Sequence, residues 1–203
     1  MIHIINYGLG NLGSIRNMLK KIGFQSEIVD RPEQLQEASK IILPGVGAFD
    51  SGMKHLIDGG WIEKLNEKVL TEKVPALGIC LGMQLMCRGS EEGTISGLNW
   101  VDADVKRFVF DDPSYKIPHM GWNYVHACKD SKLINDEAAE RRFYFVHSFY
   151  VSVDKPQDTL FESEYGFKFT SAFEKDNVIG MQFHPEKSHK FGLSILKNFA
   201  LNY

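Results

Sequence analysis

Only three cysteines occur in the 203-residue sequence, Cys80, Cys87 and Cys128, and no two form a Cys-x-x-Cys pair. So sparse and odd a count excludes a disulfide scaffold and fits a reducing cytoplasm. No His/Cys spacing matches a zinc site, so neither a metal nor another cofactor is expected. No apolar run approaches the roughly 20 residues that span a bilayer. The start, Met1-Ile2-His3-Ile4-Ile5, lacks a basic region and a cleavage site, and reads as a strand rather than a leader. Charge of one sign is lacking too: 23 basic against 26 acidic residues give a net of −3, without the basic footprint of a nucleic-acid binder. Linkers, repeats and low-complexity stretches are absent. With 43% hydrophobic and 12% aromatic residues, disorder is excluded, and the length suits a single domain over residues 1–203.

What is present in the first half is an alternation of strand and helix signals. Ile2–Ile5 is a short apolar run, and Ile15, Met18, Leu19 and Ile22 then recur at helical spacing up to Gly23. Glu27-Ile28-Val29 reads as a strand, and Pro32-Glu33 as the first turn of a helix. Ile41-Ile42-Leu43 is a strand, Phe49, Met53, Leu56 and Ile57 a helix stripe, and Val74–Ile79 a strand running into Cys80. Repeated β-α units predict an α/β fold with a parallel sheet and helices on both faces. The second half changes character. Val105–Phe110, Trp122–His126, Arg142–Val153 and Val178–Phe183 read as strands, so the expected sheet is mixed. A last helix carries Phe191, Ile195 and Phe199 on one stripe, with Ser188 as its expected N-cap.

Two glycine-rich motifs compete for the chemistry. Gly8-Leu9-Gly10-Asn11-Leu12-Gly13 matches the dinucleotide fingerprint G-x-G-x-x-G, with Asp30 near the expected acidic position. Any tight β-to-α turn also favours glycines, and the two readings are evenly matched. The second motif is more specific. Gly78-Ile79-Cys80-Leu81-Gly82 follows a strand and precedes the apolar stretch Met83, Leu85 and Met86, the form of a nucleophile elbow. On that turn a cysteine is held up at the carboxyl end of its strand, and the following helix dipole favours thiolate. The backbone N–H of Leu81 is placed to donate to a developing oxyanion. Cys87 and Cys128 lack glycine flanks and read as small buried residues.

A thiolate nucleophile needs a base, and the base an orienting group. Gln182-Phe183-His184-Pro185-Glu186 offers both, because alternate residues of an extended segment face one side. His3, His55, His126 and His189 carry no such context and read as structural or merely exposed. Pro44-Gly45-Val46-Gly47 ends the third strand, where glycines let backbone N–H groups turn towards a ligand at the sheet's carboxyl edge.

Together these motifs resemble the class I triad glutamine amidotransferases, with Gly78-Ile79-Cys80-Leu81-Gly82-Met83-Gln84 preceding His184-Pro185-Glu186. Pro44–Phe49, Pro118–Asn123, Phe145–Ser148 and Gln182–Ser188 are similar to the glutaminase subunits of imidazole glycerol phosphate synthases. The resemblance runs from Tyr7-Gly8 to the final helix, and it makes the Gly8 turn the family's own first turn, which binds no dinucleotide. It implies a flavodoxin-like domain with a mixed, mostly parallel sheet. Cys80 is then the nucleophile on glutamine, His184 the proton carrier, and Glu186 the group orienting it. Gly45, Val46, Gly47 and Leu81 would form the oxyanion hole, while Gln84, His147, Ser148 and Phe149 hold the substrate. Ammonia would pass to a (β/α)8-barrel cyclase in a heterodimer for histidine biosynthesis. Pro118, His119, Met120, Gly121, Trp122, Asn123, Tyr144 and Lys187 would lie at that interface. Asn6 and Phe149 stand where the family more often has aspartate and tyrosine. Ser90–Gly93 and Gly97–Asp102 are similar to a branch encoded with surface-polysaccharide genes, so the alternative recipient is a sugar amidotransferase. The length leaves no room for an acceptor site beside the glutaminase, which implies a partner chain.

Overall fold

The structure is a computed structural model and describes residues 1–134 and 140–203. Its scaffold is a sheet whose first five positions, in spatial order, are all parallel. They are β2 (Ser26–Val29), β1 (Ile2–Ile5), β3 (Lys40–Gly45), β4 (Ala76–Cys80) and β11 (Val178–Met181). Beyond β11 the strands pair antiparallel, through β10 (Phe167–Lys175), β9 (Thr159–Tyr165), β6 (His119–Ala127) and β7 (Arg141–His147). A branch of β5 (Ala103–Arg107) and β8 (Phe149–Val153) joins at β10. The mixed α/β sheet agrees with the sequence reading, and its antiparallel share is larger than "mostly parallel" suggested.

The central strands β3, β4 and β11 are almost wholly apolar because both of their faces are covered, whereas edge strand β2 carries Ser26 and Glu27. Ile41 and Leu43 pack on one face with Phe49, Met53, Leu56, Trp61 and Leu65. Ile42 and Ile79 pack on the other with Ile15, Leu19, Ile195 and Phe199. The first layer consists of α2 (Phe49–Asp58), α3 (Trp61–Asn66) and α4 (Leu81–Leu85), and the second of α1 (Leu12–Lys21) and α5 (His189–Asn202). Among the described residues no helix is long and apolar enough to cross a membrane.

Several local expectations are corrected. Pro32-Glu33 opens only a four-residue 3-10 turn, Pro32–Leu35. Ile57 points to solvent, since α2 buries Phe49, Gly52, Met53 and Leu56 instead. Arg142–Val153 is two strands, broken at Ser148. The β9–β10 hairpin has no continuous apolar run that would signal it in the sequence, because charged Glu162, Glu164 and Lys168 interrupt its apolar residues. Cys87 is buried as expected, but Cys128 is exposed. Packing and positive φ account for Gly8 and Gly10, where a Cβ would stand 2.9 Å from the His55 ring and 3.3 Å from Pro44, whereas one on Gly13 would meet open space.

Candidate active site

Cys80 ends β4 in a backbone conformation that side chains rarely adopt, with φ 54° and ψ −109°. Such strain costs about 1–3 kcal/mol and persists only where the surroundings enforce it. Here they do. A Cβ at Gly78 would lie 2.7 Å from Met83 N, and one at Gly82 would collide with the Leu43 carbonyl. The chain can therefore turn from β4 into α4 only with glycine at both places. Leu81 is the first residue of α4, so its N–H has no acceptor within the helix.

Parallel pairing sets Gly45 opposite Cys80, which brings the end of β3 to the candidate nucleophile. A side chain at Gly45 would run into the Tyr7 hydroxyl. Gly47 has a φ of 108°, and Val46 is exposed. Val46, Gly47, Cys80 and Leu81 line a cavity of about 320 Å³ whose other walls include Gln84, Glu92, Pro118, His147, Ser148, Phe149, His184 and Lys187. Residues from six stretches of the chain thus meet around the cavity that Cys80 lines.

His184 and Glu186 come together as expected, by a different local route. His184 is extended, but Pro185–Lys187 is a 3-10 turn, so strand alternation does not align the two side chains. Proline fixes the first turn, which brings the carboxylate back to His184 Nδ1. His184 Nδ1 lies 2.8 Å from Glu186 Oε1, with both side chains almost wholly buried. Nδ1–H donates to that carboxylate, which leaves Nε2 without a hydrogen-bond partner in the protein. Burial alone would lower the basicity of His184. Its interactions with Cys80 and with the Glu186 carboxylate outweigh burial and raise the imidazole to about 9.

Ser188 holds the expected N-cap position of α5, its carbonyl accepting from Gly192 N–H, but its side chain does not cap the helix. Its hydroxyl donates to the His184 carbonyl at 2.6 Å and accepts from Tyr144 N–H at 3.0 Å. His184 N–H in turn donates to the Tyr144 carbonyl at 2.9 Å. The histidine backbone is thereby fastened to β7 on both sides of the peptide.

The residues expected to hold the substrate, Gln84, His147, Ser148 and Phe149, come together in the cavity wall. Both ring nitrogens of His147 are engaged: Nδ1 donates to the Phe149 carbonyl at 2.7 Å, and Nε2 accepts from His119 Nδ1 at 2.9 Å. Only the backbone around His147 is free to meet a ligand. Gln84 is buried, its Nε2 donating to Phe149 O at 3.3 Å and to Gln182 Oε1 at 3.0 Å. Sequence reasoning missed Glu92 as a site residue. Its carboxylate lines the cavity while Oε2 accepts from Phe49 N–H at 2.8 Å. Asp50 returns the clasp by accepting from the N–H groups of Thr94 and Ile95, which hold its carboxyl below the usual range. Nothing in the spacing around Glu92 signals this, because the clasp joins segments more than forty residues apart.

Beside the cavity lies an exposed aromatic face. Met120, Trp122 and Tyr124 alternate outward along β6, Trp122 stacks on the His189 ring at 5.7 Å, and the Arg142 guanidinium lies over the Trp122 ring. Lys187 lies over the Tyr144 ring at 5.6 Å and also lines the cavity, so face and cavity adjoin. His119 departs from the expected interface set. It points inward and is buried, because strand alternation sends it opposite to Met120. Pro118 is exposed, Gly121 and Asn123 half-buried. Among the described residues no three His, Cys, Asp or Glu side chains are grouped to hold a metal ion.

The model of the class-I glutamine amidotransferases matches residues 3–203. The chain is 52% identical to an imidazole glycerol phosphate synthase subunit HisH 2 of Methanococcus maripaludis, covering 98% of each chain. It is 47% identical to the HisH 2 subunit of Pseudomonas aeruginosa, again over 98% of each. A crystal structure of a glutamine amidotransferase superposes with a TM-score of 0.75 at 16% identity, covering 98% of this chain and 99% of that one, which establishes the shared fold. The chain belongs to the class-I glutamine amidotransferase family and, within it, to the group of the imidazole glycerol phosphate synthase HisH subunits.

Proposed function

We propose that this protein is the glutaminase subunit of an imidazole glycerol phosphate synthase, working through Cys80, His184 and Glu186. The observation that carries this reading is the strained cysteine at the cavity wall, with a buried His184–Glu186 pair at 2.8 Å beside it. Cys80 Sγ attacks the side-chain carboxamide carbon of glutamine, and His184 Nε2 takes the thiol proton. The oxyanion accepts from Leu81 N–H and from an N–H of the Gly45–Gly47 turn. His184 returns its proton to the leaving nitrogen, ammonia departs, and a glutamyl thioester remains. Water, deprotonated by the same histidine, cleaves the thioester to glutamate and restores the thiol. Glu186 holds the ring in the required tautomer and stabilises its cation.

Glu92 supplies a carboxylate for the substrate's α-ammonium, and Gln84 with the Ser148 backbone supplies polar partners. The aromatic face of Met120 and Trp122, with Tyr144 and Lys187 linking it to the cavity, suits a docked partner that receives the ammonia. The synthase named for the relatives favours a cyclase subunit, a (β/α)8 barrel in our reading, over a sugar amidotransferase. We further read residues 1–203 as one domain, and place it in the cytoplasm, where a functional thiol stays reduced.

Reconstitution tests this. Added to its cyclase and acceptor, the protein should release glutamate from glutamine and yield imidazole glycerol phosphate. Cys80→Ala should abolish glutamate release while ammonia-driven synthesis by the cyclase survives. Full turnover in Cys80→Ala would overturn the triad, and stimulation only by a sugar amidotransferase would overturn the pathway.

A further inference from the structure

Gln182 is fully buried just past β11, and the reaction scheme above gives it no task. Its Nε2 lies 3.7 Å from Cys80 Sγ, within reach of an N–H···S hydrogen bond. Its Oε1 accepts from Gln84 Nε2 at 3.0 Å, and Gln84 Nε2 also donates to the Phe149 carbonyl at 3.3 Å. The direction of this chain is not a free choice. A carbonyl can only accept, so Gln84 must turn its nitrogen to Phe149. That nitrogen's second hydrogen requires an acceptor, so Gln182 must present its oxygen. Its own nitrogen is then left facing the sulfur.

A second arm fixes the same carbonyl from the other side. His147 Nδ1 donates to Phe149 O, His147 Nε2 accepts from His119 Nδ1, and His119 Nε2 accepts from Asn123 Nδ2 at 3.2 Å. Burial lowers His147 to about 3 and His119 to about 4, so each ring carries one proton and each link has one direction. With two donors on it, the Phe149 oxygen is saturated. Neither arm can reverse without burying an unpaired group.

We propose that Gln182 is a further catalytic residue, donating from Nε2 to Cys80 Sγ and stabilising the thiolate, its orientation locked through Gln84 by the Phe149 carbonyl. A thiol sulfur is a weak acceptor and a thiolate a strong one, so a fixed donor favours the charged form. The proton still goes to His184; Gln182 keeps both of its own and holds the anion. This rests on Cys80 being the nucleophile.

The test reads the sulfur itself, with neither glutamine nor partner present. Iodoacetamide alkylation of Cys80 is followed by peptide mass spectrometry, which separates it from exposed Cys128. Gln182→Met removes the donor, and Gln182→Glu removes the donor but keeps an acceptor for Gln84. At about pH 7 Gln182→Met should react about tenfold more slowly than the parent, and Gln182→Glu more slowly still. At about pH 9.5, where thiols ionise unaided, Gln182→Met should come within about twofold of the parent. A parental rate for Gln182→Glu at about pH 7 would reduce Gln182 to a support for Gln84 and overturn the proposal. So would an equal loss in Gln182→Met at both pH values. Should Gln182→Met fail to fold, Gln182→Glu alone decides. Failure here leaves the Cys80→Ala result untouched, so the two claims fall separately.

Discussion

His184 carries two assignments at once, general base and cation, and Glu186 makes both possible. The carboxylate at 2.8 Å accepts a hydrogen bond from Nδ1–H, which aims the Nε2 lone pair into the cavity and stabilises the protonated ring. Glu186→Gln keeps the size and removes the charge, so His184 should titrate well below about 9 when followed by NMR. Glutaminase turnover with the partner present should fall by about 10²–10⁴-fold. An unchanged titration would show that Cys80 alone holds the imidazole in its charged form.

At the scale of elements, the site exists because three chain reversals end at one edge of the sheet: β3 into the Gly45–Gly47 turn, β4 into α4, and β11 into the 3-10 turn at Pro185. The fastening of that last turn to β7 through Ser188 is testable. Ser188→Ala removes a donor to His184 O and an acceptor for Tyr144 N–H. We expect a loss of about 1–3 kcal/mol in chemical denaturation and lower turnover at unchanged partner binding. Stability equal to the parent's would show that the two backbone groups find other partners.

The same scale shows what the sequence could and could not reveal. Gly78 and Gly82 around Cys80, and Pro185 between His184 and Glu186, are local devices, and local spacing exposes them. Glu92 and Gln182 reach the site through partners more than forty residues distant, and no pattern in the chain marks such meetings. The alternating apolar residues of β6 were legible as a strand. Which residues of β6 face inward is set by register with β7, which buries His119 and leaves its neighbour Met120 exposed within a stretch that the resemblance assigns whole to the interface.

For the whole molecule, four buried histidines set opposing demands on pH, and burial lowers His3 in the same sense as His119 and His147. His119 and His147 are lowered from 6.5 to about 4 and about 3, chiefly by burial. The unfolded chain takes up protons that the fold refuses, so stability falls as pH drops below about 6.5, by about 1.4 kcal/mol per unit for each histidine. His184 acts in the opposite sense. Raised to about 9, it holds in the fold a proton that the unfolded chain gives up near 6.5, so its contribution is full below that value and is lost as pH climbs towards 9. Urea midpoints should therefore peak near pH 6.5. His147→Gln should flatten the acid limb, and a profile still rising between pH 6.5 and 9 would contradict the state assigned to His184.

The central claim, that Cys80 is the sulfur on which glutamine reacts, is tested most directly by a glutamine-analogue diazoketone followed by peptide mass spectrometry. The account predicts one covalent adduct per chain, on the peptide that carries Cys80, blocked by excess glutamine and absent from Cys80→Ala. An adduct on Cys87 or Cys128 with Cys80 unmodified, or glutamine-protected labelling that persists in Cys80→Ala, would contradict it.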